Sequence, residues 1–81
     1  MVDDLILYKM DRCPYCVVVQ KELSRLGVVI EQRETSRNSP WRTDLKSKTG
    51  RTQVPCLFIK GAPMFESVDI VFWLRQHFES G

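Results

Sequence analysis

A short apolar run, Leu5 to Lys9, holds a β-branched and an aromatic residue, and the pair Cys13-Pro14 follows it. The run reads as a buried strand. Pro14 has no N–H and a φ already close to helical, so the place it suits is the first position of a helix. Cys16, Val19, Leu23 and Leu26 then recur on one helical face, and Gly27 is suited to end that helix. A strand that passes through a tight junction into a helix restricts the chain to folds in which helices pack on a sheet.

The remaining punctuation sets the order of elements. Val28 to Arg33 reads as a second strand. Asn38-Ser39-Pro40 opens a second helix, with Ser39 as its cap and Pro40 in the first turn. Trp41 and Leu45 fall on its inner face, and Gly50 ends it. Val54 to Ile59 is a third strand, although Pro55 stands near its start, where a ladder N–H is normally needed. Gly61-Ala62-Pro63 turns the chain into a short fourth strand, Met64-Phe65. Ser67 caps a last helix whose inward face is Ile70, Val71, Leu74 and Phe78. A right-handed crossover makes the first two strands parallel, and the hairpin makes the last two antiparallel. The expected class is α/β, a thioredoxin fold: a four-stranded mixed sheet flanked by three helices. With 81 residues there is chain for one core only, so residues 1–81 are expected to form a single domain.

Hydrophobic residues are 43% and charged residues 27%, the balance of a globular fold. A net charge of +2, with no run of Lys or Arg, gives no basis for a nucleic-acid partner. Met1-Val2-Asp3-Asp4 is acidic where a secretory signal would be basic, and Leu5 to Tyr8 is too short for a membrane span. The expectation is a cytoplasmic monomer with no membrane partner, in a compartment where thiols are kept reduced.

That expectation turns attention to Cys13-Pro14-Tyr15-Cys16. A thiol at a helix start faces free N–H groups and the positive end of the dipole, and Arg12 adds a cation beside Cys13. Both effects favour the thiolate. Cys16, one turn further in on the apolar face, gains little from them. Cys13 is therefore the expected nucleophile and Cys16 the resolving thiol. An acidic thiol gains less as an attacking group than as a leaving group, so such a pair suits turnover through a mixed disulfide. A zinc site would need about four ligands. Beyond the pair only Cys56 and His77 remain, and no metal is expected. Cys56, alone in a core strand, reads as a small buried hydrophobe.

With Cys-Pro-Tyr-Cys at a strand-to-helix junction and Thr52-Gln53-Val54-Pro55 further on, the chain resembles the glutaredoxin family almost end to end. The resemblance implies a glutathione-dependent thiol–disulfide oxidoreductase, with glutathione as co-substrate and glutathionylated or disulfide-containing proteins as partners. It also implies that Pro55 is the family's cis-proline. Val54 would offer its backbone to the cysteine of glutathione, and Tyr15 would line the groove. Phe65-Glu66-Ser67 departs from the Gly-Gly pair of ordinary glutaredoxins and is similar to the glutathione site of glutathione transferases. Ser67 would bind the γ-glutamyl carboxylate at the last helix's start, and Glu66 the ammonium. The family's cation three residues before the nucleophile is replaced by Met10, which leaves Lys9 as the nearest anchor for the glycine carboxylate; Arg12, Arg37 and Arg42 are other candidates. The competing readings are a thioredoxin-like reductant fed by a flavoprotein reductase, a glutathione-ligated [2Fe–2S] module, and a glutathione transferase.

Overall fold

The computed structural model describes residues 2–37 and 39–79. Met1, of the acidic start, and Asn38, expected at the second helix's start, lie outside the described residues. The order of elements is β1 (Val2–Lys9), α1 (Pro14–Leu26), β2 (Ile30–Glu34), α2 (Pro40–Thr49), β3 (Cys56–Ile59), β4 (Ala62–Phe65) and α3 (Ser67–Phe78). The strands form one mixed sheet in the order β2-β1-β3-β4. β1 and β2 are parallel, while β3 is antiparallel to both β1 and β4. This is the four-stranded sheet with three helices that the sequence predicts.

The two faces of the sheet are covered differently. On one, Leu5, Leu7 and Leu57 pack with Val19 and Leu23 of α1 and with Ile70 and Leu74 of α3. On the other, Tyr8, Cys56 and Phe58 meet Leu45, the one buried residue of α2. Alternation along β1 and β3 sends successive side chains to opposite faces, so each strand serves both clusters. Truncating a core leucine such as Leu7 to alanine costs about 2–5 kcal/mol in comparable interiors.

Several boundaries differ from the sequence reading, each for a local reason. β1 starts at Val2 rather than Leu5, because Val2 donates to the Val29 carbonyl at 2.9 Å and pairs with Ile30. β2 starts at Ile30 because Val28 is used to close α1: its N–H reaches the Leu23 carbonyl at 3.0 Å while Gly27 sits at φ 69°. β3 begins only at Cys56, after a proline that has no N–H to give. Ala62 and Pro63 belong to β4, opposite Ile59 and Phe58, so the turn is reduced to Lys60-Gly61. Both turn residues have positive φ, 49° and 86°, as a tight two-residue hairpin of this hand requires. Ser67 is the first residue of α3 and not its cap. Glu66 holds the cap position at φ 74° with no side-chain cap bond. Trp41 is not an inner-face residue; it is exposed, with the Arg33 guanidinium 4.1 Å from its ring centre.

One buried carboxylate ties α1 to α3. Glu22 accepts from Arg25 at 2.5 and 3.0 Å and from Arg75 of α3 at 3.2 Å. The Arg25 bond, with Arg75 behind it, holds the Glu22 carboxyl at about 2, below its ordinary 4.5. A carboxyl depressed on folding stabilises the fold above its unfolded value and loses that contribution as pH falls through the folded one. The urea midpoint should therefore drop between pH 4.5 and 2 more steeply in the wild type than in Glu22→Gln. Equal slopes would assign the acid sensitivity to another group.

Candidate functional site

Strand register gathers the site at one end of the sheet. Tyr8 pairs with Cys56, and Cys56 with Phe65. The segments that continue from this row are the loop from β1 to α1, residues 52–55 before β3, and Glu66-Ser67 after β4. All of them emerge on the same end.

Cys13 is the N-cap of α1, extended at φ −87° and ψ 115°, with Pro14 as the first helical residue. Its Sγ accepts from the Cys16 backbone N–H at 3.4 Å, which aims the sulfur at the helix's free donors. Cys13 is half-buried, Cys16 fully buried, and all three cysteines are free thiols. Burial pushes the Cys16 thiol up to about 12, and the hydrogen bond to Cys13 adds to the effect. Burial likewise raises Cys56, to about 11. Cys56 is the core thiol that its strand position suggested, and Cys13 is the one open to solvent.

Beside the α1 start lies a groove of about 430 Å³ lined by Tyr15, Gln53, Val54, Pro55, Glu66, Ser67 and Val68. The Val54–Pro55 peptide is cis. Five of the six residues expected to bind glutathione thus meet in one groove: Tyr15, Val54, Pro55, Glu66 and Ser67. Lys9 is not among them. Its ammonium holds Asp11 at 2.6 Å and Glu34 at 3.0 Å, so a ligand carboxylate there would meet two like charges that already offset it. The Asp11 hydrogen bond is also the chief cause of the raised Lys9 pKa.

Gln53 and Val68 are groove residues that the sequence reading passed over. Gln53 donates to Glu66 Oε1 at 3.3 Å and accepts from Arg51 at 3.2 Å. Arg51 in turn lies 4.5 Å over the Phe65 ring. The signal for Gln53 was its place beside Val54-Pro55, and for Val68 its place directly after Ser67. A slightly larger cleft, about 460 Å³, is lined by Asp3, Asp4, Ile6, Phe58, Lys60 and Pro63 among others and contains no cysteine. Among the described residues no three His, Cys, Asp or Glu side chains are grouped as a metal site, and no helix is long and apolar enough to cross a membrane.

Comparison with known proteins gives a family from sequence and a wider likeness of fold from shape. The glutaredoxin family model matches residues 5–63. Glutaredoxin 3 of Escherichia coli is 34% identical over 53 residues, which are 65% of this chain and 64% of that protein. The chain therefore aligns with less than two thirds of that relative's length. Among solved structures, the holo form of glutaredoxin C1 from Populus tremula x tremuloides is 28% identical with a TM-score of 0.67, covering 95% of this chain and 78% of that one. An epsilon-class glutathione S-transferase from the housefly, Musca domestica, has a TM-score of 0.81 at 20% identity, covering 95% of this chain and 36% of that one, a likeness of fold alone.

The thiol environments make a direct prediction. A thiol titrating near 11 or 12 carries on the order of a hundredth of a percent of thiolate or less at pH 7, against roughly 3% for an ordinary thiol at about 8.5. Iodoacetamide at pH 7 should therefore label Cys13 first, with Cys16 and Cys56 reacting only after unfolding, as peptide mass spectrometry would resolve. Early labelling of Cys56 would contradict its burial.

Proposed function

The chain belongs to the glutaredoxin family, and from that premise we propose that it is a glutathione-dependent thiol–disulfide oxidoreductase with Cys13 as nucleophile and Cys16 as resolving thiol. The observation that carries the reading is the half-buried Cys13 at the N-cap of α1, at the end of the sheet where Tyr15, Val54, Pro55, Glu66 and Ser67 line one groove. Val54 offers a backbone N–H and C=O to the cysteine of glutathione, against Pro55 and the Tyr15 ring. Ser67 and the free N–H groups at the start of α3 receive the γ-glutamyl carboxylate. Glu66 accepts from the γ-glutamyl ammonium. The substrates are glutathionylated and disulfide-containing proteins, and the protein acts as a cytoplasmic monomer in which all three thiols are kept reduced.

The chemistry follows in two exchanges. The Cys13 thiolate attacks the glutathione sulfur of a mixed disulfide; an S–S bond forms to Cys13, and the target's thiolate leaves. A second glutathione thiolate then attacks that bond, leaves as glutathione disulfide, and returns Cys13 to thiolate. When the target is a protein disulfide, Cys13 is left joined to a bulky partner. Cys16 then completes the exchange by losing its proton and attacking the Cys13 sulfur; a Cys13–Cys16 disulfide forms, the partner's second thiol is released, and two glutathiones reduce that disulfide in turn and leave as glutathione disulfide. The high pKa that burial gives Cys16 makes it slow unless the partner stays attached, where proximity supplies a large effective concentration.

Cys16→Ser should accordingly keep or raise turnover on a small glutathione mixed disulfide, in an assay coupled to NADPH and glutathione reductase, and lose most activity on an intramolecular protein disulfide. Cys13→Ser should abolish both. If Cys16→Ser is as inactive as Cys13→Ser on the small substrate, the protein follows a thioredoxin-like dithiol route instead.

Glu66→Gln tests the glutathione groove. A hydrogen bond to a charged group contributes about 1.5–3 kcal/mol, so kcat/KM on glutathione mixed disulfides should fall by roughly 10- to 150-fold. A disulfide without the γ-glutamyl group should be nearly unaffected. Equal losses on both would give Glu66 a role in the fold rather than in recognition.

A further inference from the structure

Two helices carry a run of apolar side chains that the core does not use. Tyr15 is 65% exposed, Val18 49%, Val68 76% and Phe72 64%. Tyr15 and Val18 are three apart on α1, and Val68 and Phe72 four apart on α3, so each pair shares a helix face. The two pairs are held side by side at both ends. Tyr15 and Val68 line the same groove beside Cys13. One turn beyond Val18 and Phe72, Glu22 of α1 binds Arg75 of α3 at 3.2 Å. A ladder of four apolar side chains therefore leads away from the glutathione groove along α1 and α3.

The other face of the sheet is charged at the same end. Arg42, Thr43, Lys46, Ser47 and Thr52 line a shallow cleft of about 390 Å³ on α2, and Thr52 leads directly into the groove loop. Arg42 and Lys46 lie four apart on one side of the helix. Among the described residues neither is paired with a carboxylate, whereas Lys48 of α2 and Arg33 of β2 both bind Asp44. The Cys13 end thus stands between an apolar surface on one side and unpaired cations on the other.

We propose that the Tyr15–Val18–Val68–Phe72 ladder and the Arg42–Lys46 pair dock the protein partners of Cys13, selecting a cysteine flanked by apolar side chains on one side and carboxylates on the other. The proposal rests on the exchange role of Cys13 given above and specifies its partner. The two surfaces lie on opposite faces of the sheet with the cysteine end between them. A flat bilayer cannot reach both, while a chain segment laid across that end can. Carboxylates complement the cations, and apolar side chains gain by covering Phe72 and Val18.

The test uses glutathionylated peptides of one length: leucines on one side of the cysteine and aspartates on the other, in either order; the same with leucines changed to serine; and the same with aspartates changed to lysine. Phe72→Ser should lower kcat/KM about tenfold on the leucine–aspartate peptide that the wild type prefers and leave the serine peptide unchanged, with Val18→Ser acting in the same direction. Lys46→Glu should lose several-fold on the aspartate peptides at low salt, less at high salt, and nothing on a small glutathione mixed disulfide. No peptide preference in the wild type, or equal losses on every substrate, would overturn the proposal. So would a concentration-dependent dimer, seen by sedimentation, that Phe72→Ser abolishes without moving the peptide kinetics, or anionic-vesicle binding lost in the same way. Inactivity of the wild type on the small disulfide would sink the oxidoreductase reading alone. Fluorescence anisotropy of labelled peptides with serine in place of cysteine would then decide the docking surface: the same ranking supports it and no ranking refutes it.

Discussion

Tyr8, Cys56 and Phe65 form one row across three strands, and their pairing fixes everything that follows at that end of the molecule. None of the three touches the groove itself. Their register decides where three separate stretches of chain leave the sheet, and so brings a helix start, a cis-proline loop and a second helix start out at the same end. A shift of one residue between β1 and β3 would turn the strand's side chains to the opposite face and move the groove loop out of line with Cys13. Both core clusters oppose such a slip, because each strand has apolar side chains committed on either face.

The helix on the charged face is held by different means. α2 buries only Leu45, so apolar packing does little to fix it. The Tyr8 hydroxyl, buried with its ring, is hydrogen-bonded to Asp44 of α2, receives Arg33 of β2 at 2.7 Å and lies 3.4 Å from Lys48 of α2. Ser39 caps the helix through Trp41 N–H at 3.1 Å and also donates to the Glu34 carbonyl at 2.6 Å, binding the start of α2 to the end of β2. A satisfied polar network of this kind rigidifies the helix where apolar burial is slight.

What the sequence disclosed well were the places where one residue type has one physical use. Proline after Cys13 marked a helix start and glycine at 27 a left-handed helix end, while proline at 55 stood at the edge of a strand that the sequence began two residues too early. Elements and their order followed, as did the convergence of Tyr15, Val54, Pro55, Glu66 and Ser67. What it hid were outcomes set by competition between partners. Serine normally makes the better cap, but β4 ends at Phe65 opposite Cys56, and the turn out of the strand falls on Glu66 with a positive φ. Lys9 has the right charge for a carboxylate ligand, yet two carboxylates of the chain are already beside it. Trp41 is large and apolar, but Arg33 claims its face at the surface. Gln53 is ordinary until Glu66 and Arg51 are placed on either side of it.

The hairpin at Lys60-Gly61 lies at the other end of β3 and β4 from the groove. Lys60 closes it back onto β1 by donating to the Asp4 carbonyl at 2.9 Å, and Gly61 has open space where a side chain would stand. The molecule is in this sense polarised, with its reactive groups at one pole and a short, solvent-facing turn at the other. Such a turn is a natural point of attachment: a fused domain, a surface linker or a new chain terminus placed there would leave the thiol pole facing outward. A protein tethered to an electrode or bead through that turn would present Cys13 to solution in one orientation.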